Sequence, residues 1–154
     1  MHLLVVRHAQ SVPHGARGVS DNERPLTADG ERRFVAAAQE IARHVPKPDV
    51  LLTSPLVRAR QTAALLAAAW NVDAISDPTL ASGSVEQVLA MLEHHAHEAT
   101  VGLVGHEPTV SALVAELAAT HAGGGFPPGG AVFLDIASLA RRDARILWSN
   151  FAGM

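Results

Sequence analysis

Two arginines and two histidines are the residues of this sequence best suited to chemistry on a phosphate group. Arg7 and His8 stand side by side directly after an apolar run. Arg58 lies in the segment SPLVRARQTA, and His106 ends the segment GLVGH. A guanidinium group offers a planar fork of donors that matches two phosphoryl oxygens, and a neutral imidazole can attack phosphorus. The four side chains therefore predict an anion site rather than a hydrolytic metal site, which would need carboxylates beside the histidines.

The positions of these residues coincide with the ends of predicted strands. Residues 3–6, LLVV, predict a strand buried on both faces that ends at the arginine–histidine pair. A second apolar strand leads into a helix with Ser54 as its expected N-cap, Pro55 at its first position and Arg58 one turn inside. A further strand ends at His106. Because ligands bind beyond the carboxyl ends of strands in open α/β sheets, parallel strands would bring these side chains together.

Strands and helices alternate along most of the sequence. The predicted strands cover residues 3–6, 49–55, 73–76, 100–106, 131–137 and 144–150, and the predicted helices cover residues 26–45, 54–70, 84–98 and 108–122. Thr27 is the expected cap of the first helix. This alternation predicts an α/β fold, a three-layer α/β/α sandwich around a largely parallel sheet. The last two strands are close enough to form a hairpin, so we expect a mixed sheet in one domain over residues 1–154.

The overall composition excludes several classes of function. The 154 residues contain no cysteine, which excludes thiol nucleophiles, disulfides and cysteine-ligated zinc. The formal net charge of -3 provides no basic field for nucleic acid. No apolar run approaches the ~20 residues of a membrane span, and the first residues do not have the pattern of a signal peptide. We therefore expect a cytoplasmic protein that binds neither nucleic acid nor membrane.

Four segments of the sequence form a set when they are taken in order. They read VVRHAQS, ERPLTADGE, LLTSPLVRARQTA and GLVGHEPTV, and they lie in this order within residues 3–117. Together they resemble the histidine phosphatase superfamily, also called the phosphoglycerate mutase-like superfamily. The first segment corresponds to its Arg-His-Gly signature, the third to its Ser-Pro-x-x-Arg-x-x-Gln-Thr segment and the fourth to its Gly-His segment. Within the superfamily, the short chain and the RPLT sequence are most similar to SixA-type phosphohistidine phosphatases.

The resemblance implies a role for each matched residue. His8 would be the nucleophile and would form a covalent phosphohistidine intermediate. Arg7, Arg58 and His106 would bind the phosphoryl oxygens and stabilise charge in the transition state. The resemblance implies no metal and no cofactor. It also implies the phosphoglycerate mutase-like fold.

Two residues of the loop after the first strand are further candidates for phosphate binding. Ser11 lies in the signature loop, where it could contact phosphate or hydrogen-bond within the loop. Arg24 in RPLT could add charge at the rim of the pocket or form a structural salt bridge. Arg60 does not match the family's arginine, because it lies two positions along the helix from Arg58 and its side chain points away.

Two features depart from the family pattern. Ala9 stands where glycine is usual, which adds a methyl group and removes the freedom to adopt positive φ. In the mutases and acid phosphatases of the superfamily, a carboxylate after the third strand donates a proton. Here Ala81 and Ser82 stand near that place, and Asp77 and Glu86 do not clearly match its register.

The missing acid favours one class of substrate. An alkoxide needs a placed acid to leave, whereas the imidazole released from phosphohistidine has a conjugate acid with a pKa of ~6.5. We therefore expect a phosphatase that acts on phosphohistidine in a protein, such as a phosphotransfer domain. A phosphatase for small phosphate esters and a catalytically weak phosphate-binding module stay open as alternatives. No stripe of apolar residues marks a dimer face, so a monomer is the default expectation.

Two other segments could be mistaken for functional sites. His94, His95 and His97 crowd the end of a predicted helix, where solvated histidines suit the helix dipole. The segment GGGFPPGG, residues 123–130, lacks the lysine and the following helix of a phosphate-binding loop. We expect it to be a flexible connection that borders the mouth of the pocket.

Overall fold

A mixed sheet forms the centre of the protein in the computed structural model, which describes residues 1–120 and 125–153. Its strands are β1 (His2–Arg7), β2 (Val50–Thr53), β3 (Ala74–Ser76), β4 (Thr100–Gly105), β5 (Ala131–Ser138) and β6 (Asp143–Ser149). Their order across the sheet is β3-β2-β4-β1-β5-β6. The first four strands are parallel, while β5 runs antiparallel to its neighbours β1 and β6. The predicted mixed sheet with a final hairpin is therefore confirmed.

Helices pack on both faces of this sheet. They are α1 (Ala28–His44), α2 (Val57–Trp70), α3 (Thr79–Ser82), α4 (Val85–Glu93) and α5 (Thr109–Ala118). α1 begins as predicted, because the Thr27 hydroxyl accepts a hydrogen bond from the Gly30 amide. None of the helices in the described residues is long and apolar enough to cross a membrane.

The alternating residues of β1 explain why its sequence is apolar without interruption. Leu3 and Val5 pack into a cluster with residues of α4 and α5. Leu4 and Val6 pack into a second cluster with residues of α1 and α2. A strand covered by helices on both faces has no side on which polar residues would meet water. This arrangement confirms the three-layer α/β/α sandwich.

Two predicted helices end several residues earlier in the structure, and one α-helix was not predicted. α4 ends at Glu93 instead of residue 98, because the next two amides bond back three residues, as in a 3₁₀ turn. α5 ends at Ala118, and Ala119 turns into the left-handed region with φ 51°. Residues 121–122 of that prediction lie outside the described residues. α3 is a single turn, which is too short to give a periodic pattern.

The start of α2 also differs from the prediction. Ser54 is not the N-cap, because its amide donates to the Val104 carbonyl and continues the β2–β4 pairing by one residue. The chain then needs two more residues to turn, so Leu56 is the N-cap and the helix begins at Val57 instead of Pro55. The Ser54 hydroxyl accepts a hydrogen bond from the Leu56 amide at 3.2 Å. Ser54 therefore belongs to the carboxyl edge of the sheet.

Candidate active site

The carboxyl edge of the parallel strands brings the predicted catalytic residues together. Arg7 lies opposite Gly105 in the β1–β4 pairing, so His8 and His106 follow at the same edge. The two imidazole rings have centroids 5.2 Å apart and planes inclined by 56°. Arg58 comes from the first turn of α2, is only 6% exposed and acts electrostatically on His8. All four side chains thus occupy one site, as the sequence predicts.

His8 is held in the state that a nucleophile needs. Its Nδ1 lies 2.7 Å from the Ala9 carbonyl oxygen. Since a carbonyl oxygen only accepts, Nδ1 carries the proton and Nε2 keeps its lone pair. Burial lowers the pKa of His8 from 6.5 to about 4; the bond to Ala9 opposes this shift, while the charges of Arg58 and Arg7 add to it. His8 is therefore neutral at pH 7.

Arg7 and Arg58 are anchored in the same way. Nη1 of Arg7 donates to the Phe126 carbonyl at 2.7 Å, and Nη1 of Arg58 donates to the Asp21 carbonyl at 2.7 Å. A main-chain carbonyl thus fixes one arm of each guanidinium group. The Nε atoms of both arginines are buried and have no hydrogen-bond partner among the described residues. An oxyanion would satisfy such donors.

His106 is partly buried and contacts Ser54, the residue that the sequence predicted as the cap of α2. Its Nε2 lies 2.7 Å from the Ser54 hydroxyl, and its buried Nδ1 has no partner in residues 1–120 and 125–153. Burial lowers the pKa of His106 from 6.5 to about 3, and the charges of His8 and Arg58 lower it further. The site therefore holds two neutral histidines at pH 7, and each uses a different ring nitrogen to contact the protein.

Asp21 is a member of the site that sequence reasoning missed. The sequence predicted arginines without a carboxylate among them, but Asp21 Oδ2 lies 3.4 Å from Nη2 of Arg58. Its Oδ1 accepts a hydrogen bond from Nε of Arg24 at 2.9 Å. Partial burial raises the pKa of Asp21, but the bond from Arg24 and the charge of Arg58 lower it overall. No periodic pattern marks the loop that carries Asp21, so the sequence offered no signal for this contact.

Ser11 and Arg24 have structural contacts at the edge of the site. Nη1 of Arg24 donates to the Ser11 hydroxyl at 3.3 Å and to the Val12 carbonyl at 2.8 Å. Together with the ion pair to Asp21, these bonds tie the loop after β1 into one unit. The charge of Arg24 still lowers the pKa of His8, as a smaller contribution than burial. Phosphate binding by Ser11 or Arg24 stays a prediction.

The position of Ala9 explains why alanine fits there. Its amide donates to the Thr62 hydroxyl at 3.0 Å, and that hydroxyl donates to the Arg58 carbonyl at 2.8 Å. Ala9 is 3% exposed and belongs to the cluster between the sheet, α1 and α2. It is not one of the residues with positive φ, so the conformation of the loop does not require glycine.

Three carboxylates that could be considered as proton donors each have a hydrogen-bond partner in the described residues. Asp77 accepts a hydrogen bond from the Thr79 amide at the start of α3, and Glu86 pairs with Arg142. Glu107 accepts hydrogen bonds from Ser111 and from the Phe126 amide. In the segment after β3, Ala81 and Ser82 lie in α3, and Asp77 uses one carboxylate oxygen to accept from the Thr79 amide.

In the described part of the chain, the histidines after α4 show no sign of a metal site, whereas part of the segment GGGFPPGG borders the active site. His94, His95 and His97 lie in turns after α4, and the described residues contain no group of three or more potential ligands that could hold a metal ion. Of the segment GGGFPPGG, residues 123–124 lie outside the described residues. Its next residues border the site, because the Phe126 carbonyl anchors Arg7.

Comparisons with known proteins agree with this fold. A model of the histidine phosphatase superfamily (branch 1) matches residues 3–84. An uncharacterized protein of Picosynechococcus sp. is 38% identical over 112 residues, which are 70% of this chain and 67% of that protein. A probable phosphoglycerate mutase of Serratia proteamaculans is 34% identical over 83 residues, which are 52% of this chain and 37% of that protein.

Solved structures match over almost the whole chain. The protein histidine phosphatase SixA complexed with tungstate has a TM-score of 0.83 at 26% identity, with 97% of this chain and 96% of that chain covered. A putative phosphohistidine phosphatase SixA from Nakamurella multipartitia has a TM-score of 0.83 at 30% identity, with 97% and 95% covered.

The sandwich has the phosphoglycerate mutase-like fold. At the carboxyl edge of its sheet, a neutral histidine lies beside arginines, and this combination defines a site for phosphoryl chemistry. The match to the family model spans more than half of the chain. This chain belongs to the histidine phosphatase superfamily, and its membership makes it a phosphatase or a mutase. Its structure is similar to that of SixA.

Proposed function

We propose that this protein is a metal-independent phosphatase that uses His8 as a covalent nucleophile and removes the phosphoryl group from phosphohistidine in a protein. One observation carries the proposal. The bond from Nδ1 of His8 to the Ala9 carbonyl leaves the lone pair of Nε2 free, at a buried site beside two arginines. Neutral imidazole is a nucleophile, and the lowered pKa of about 4 keeps His8 neutral at pH 7.

The reaction then has two displacement steps. Nε2 of His8 forms a bond to phosphorus while the bond from phosphorus to the substrate imidazole breaks, and that imidazole takes a proton from water. Water next attacks the phosphorus of the intermediate and releases inorganic phosphate. As the water attacks, the bond from phosphorus to Nε2 breaks and its electron pair returns to Nε2, so His8 is again neutral with its proton on Nδ1. The attacking water gives a proton to the hydroxide that the first step left in solution.

Three buried donors are suited to the transferring phosphoryl group. They are Nε of Arg7, Nε of Arg58 and, in the tautomer that carries its proton there, Nδ1 of His106; none has another partner among the described residues. A phosphoryl group in transfer carries its charge on three equatorial oxygens, so three fixed donors could each serve one oxygen. Because carbonyl oxygens already anchor both arginines, little reorganisation is needed when charge develops.

The nature of the leaving group supports phosphohistidine over a phosphate ester. Asp77, Glu86 and Glu107 are bound to other groups, and Asp21 pairs with arginines. If none of these carboxyl groups donates a proton to the leaving group, an alkoxide leaves slowly, whereas imidazole leaves with little help. The similarity to SixA, a protein histidine phosphatase, at 26% identity supports the same substrate class. A phosphotransfer domain is the kind of protein partner that this chemistry fits.

The test compares two substrates and two histidine variants. Wild type, His8→Asn and His97→Asn are given a phosphohistidine-bearing carrier protein and, separately, p-nitrophenyl phosphate, with and without EDTA. His97 is exposed and, among the described residues, pairs with Glu98, so its variant controls for the loss of a histidine. We expect rapid release of phosphate from the carrier by wild type and His97→Asn, no release by His8→Asn, and no effect of EDTA.

Each other outcome contradicts part of the proposal. A faster reaction with p-nitrophenyl phosphate would indicate a phosphomonoesterase. Activity in His8→Asn would exclude His8 as the nucleophile. Binding of the carrier without turnover would indicate a phosphate-binding module. Trapping of labelled phosphate on wild type under alkaline quench, and its absence from His8→Asn, identifies the intermediate directly.

A further inference from the structure

We propose that Ser54 is a positioning residue: its hydroxyl donates to Nε2 of His106 and so holds the ring in the tautomer that carries its proton on Nδ1. In this tautomer Nδ1 is a hydrogen-bond donor that can serve a phosphoryl oxygen. The inference deepens the proposed function and rests on it, because it explains how a neutral histidine contributes a donor to the phosphate site.

The hydrogen bonds of Ser54 decide between the two tautomers. A hydroxyl has one donor and two acceptor sites. The Ser54 oxygen already accepts from the Leu56 amide, and its other contact, at 2.7 Å, is Nε2 of His106. Ser54 is fully buried, so its proton cannot turn to water instead.

Each tautomer leaves a different number of buried polar groups without a partner. If Nε2 carried the proton, it would donate to Ser54, and both the Ser54 proton and the lone pair of Nδ1 would lack partners in the described residues. If Nδ1 carries the proton, Ser54 donates to Nε2, and the Nδ1 donor is left, together with one lone pair of a hydroxyl oxygen that already accepts from Leu56. An unpaired buried polar group costs about 1–3 kcal/mol, so the second arrangement is favoured. The one donor that remains is the group that an oxyanion needs.

His106 thereby complements His8. His8 donates from Nδ1 to the protein and keeps a lone pair on Nε2, whereas His106 accepts at Nε2 and offers the proton of Nδ1. The rings lie 5.2 Å apart, so one presents a nucleophile and the other a donor within the same small site. With the proton on Nε2, His106 would present a lone pair at Nδ1 and would repel a phosphoryl oxygen.

The experiment reads the tautomer directly and independently of turnover. The sequence has nine histidines, and the signals of His106 are assigned in ¹⁵N-labelled protein by comparison with His106→Gln. We expect wild type at pH 7 to show a protonated Nδ1 and an unprotonated Nε2 in long-range ¹H–¹⁵N spectra. Ser54→Ala should shift protonation toward Nε2, since the partner that holds Nε2 as an acceptor is gone.

A matched variant controls for the loss of a buried hydroxyl. Thr53→Val removes the neighbouring buried hydroxyl, which donates to the Ser54 carbonyl instead of to a histidine. It should leave the His106 signals as in wild type, while Ser54→Ala lowers kcat by roughly 10–100-fold with KM little changed. Circular dichroism and thermal unfolding show which variants are folded.

The outcomes separate this inference from the proposed function. A proton on Nε2 of His106 in wild type, or wild-type signals in folded Ser54→Ala, overturns the role of Ser54 whatever the activity. Should Ser54→Ala fail to fold, the wild-type spectrum alone still decides the tautomer. A wild type with the expected tautomer that does not act on phosphohistidine contradicts the proposed function but leaves the role of Ser54 intact.

Discussion

At the scale of single residues, the site depends on which ring nitrogen of each histidine is hydrogen-bonded to the protein. His8 and His106 are the same residue type, yet Ala9 binds Nδ1 of one and Ser54 binds Nε2 of the other. The identities of His8 and His106 are readable from the sequence through their motifs. Their hydrogen-bond partners are not, because each bond depends on backbone geometry at the end of a strand.

Ala9 allows a residue-scale prediction, because its methyl group packs in the core and its backbone does not need glycine. We expect Ala9→Gly to leave kcat/KM unchanged and to lower the free energy of unfolding by about 1–2 kcal/mol, through lost burial and a more flexible unfolded chain. Urea unfolding and steady-state kinetics on the same preparations measure both. A large gain in activity in Ala9→Gly would mean that alanine impairs the signature loop.

At the scale of elements, the catalytic groups are placed by strand ends and by the loops that hold them. Strands 1, 2 and 4, α1 and the closing hairpin were predictable, because each gives several apolar residues in a regular pattern. The cap of α2, the end of α4 and the contact of Asp21 with Arg58 were not predictable. Strand pairing or long-range ion pairing determines these features, and neither leaves a local pattern.

Residues 125–130, which lead into β5, depend on a contact with Glu107. Glu107 accepts from Ser111 and from the Phe126 amide, and the Phe126 carbonyl anchors Arg7. Gly125 has φ +73°, and a Cβ at this position would collide with the Glu107 carboxylate. The backbone at Gly125 therefore fits closely against Glu107. In Glu107→Gln, the side-chain NH2 group would face a backbone N–H that now donates to the carboxylate, and one of these hydrogen bonds would be lost. We expect this loss to loosen Arg7 and to lower kcat/KM by roughly tenfold or more.

Steady-state kinetics and vanadate binding test this expectation. Glu86→Gln is the matched control, because Glu86 is an exposed glutamate that pairs with Arg142 and not with the site. It should behave as wild type in both measurements. Wild-type kinetics and vanadate affinity in Glu107→Gln would show that Arg7 does not depend on this loop.

At the scale of the whole molecule, the sheet lies between two apolar clusters and presents its carboxyl edge as the functional surface. The alternation of elements allowed this architecture to be predicted, since a chain with buried parallel strands must cover both faces of its sheet. The same burial that stabilises the fold removes water from His8 and His106. Folding and the protonation of the site are therefore coupled.

This coupling predicts how the stability of the protein depends on pH. The pKa is about 4 for His8 and about 3 for His106 in the folded protein, against 6.5 when unfolded. As the pH falls below 6.5, the two histidines bind more protons in the unfolded chain than in the folded protein. The contribution of the two histidines to stability is therefore full above pH 6.5 and is lost as the pH falls. We expect the free energy of unfolding to fall by roughly 2–5 kcal/mol between pH 7 and pH 4.5, as measured by urea unfolding. His8→Asn, whose amide can still donate to Ala9, should show a smaller fall, and an equal fall in both proteins would contradict the coupling.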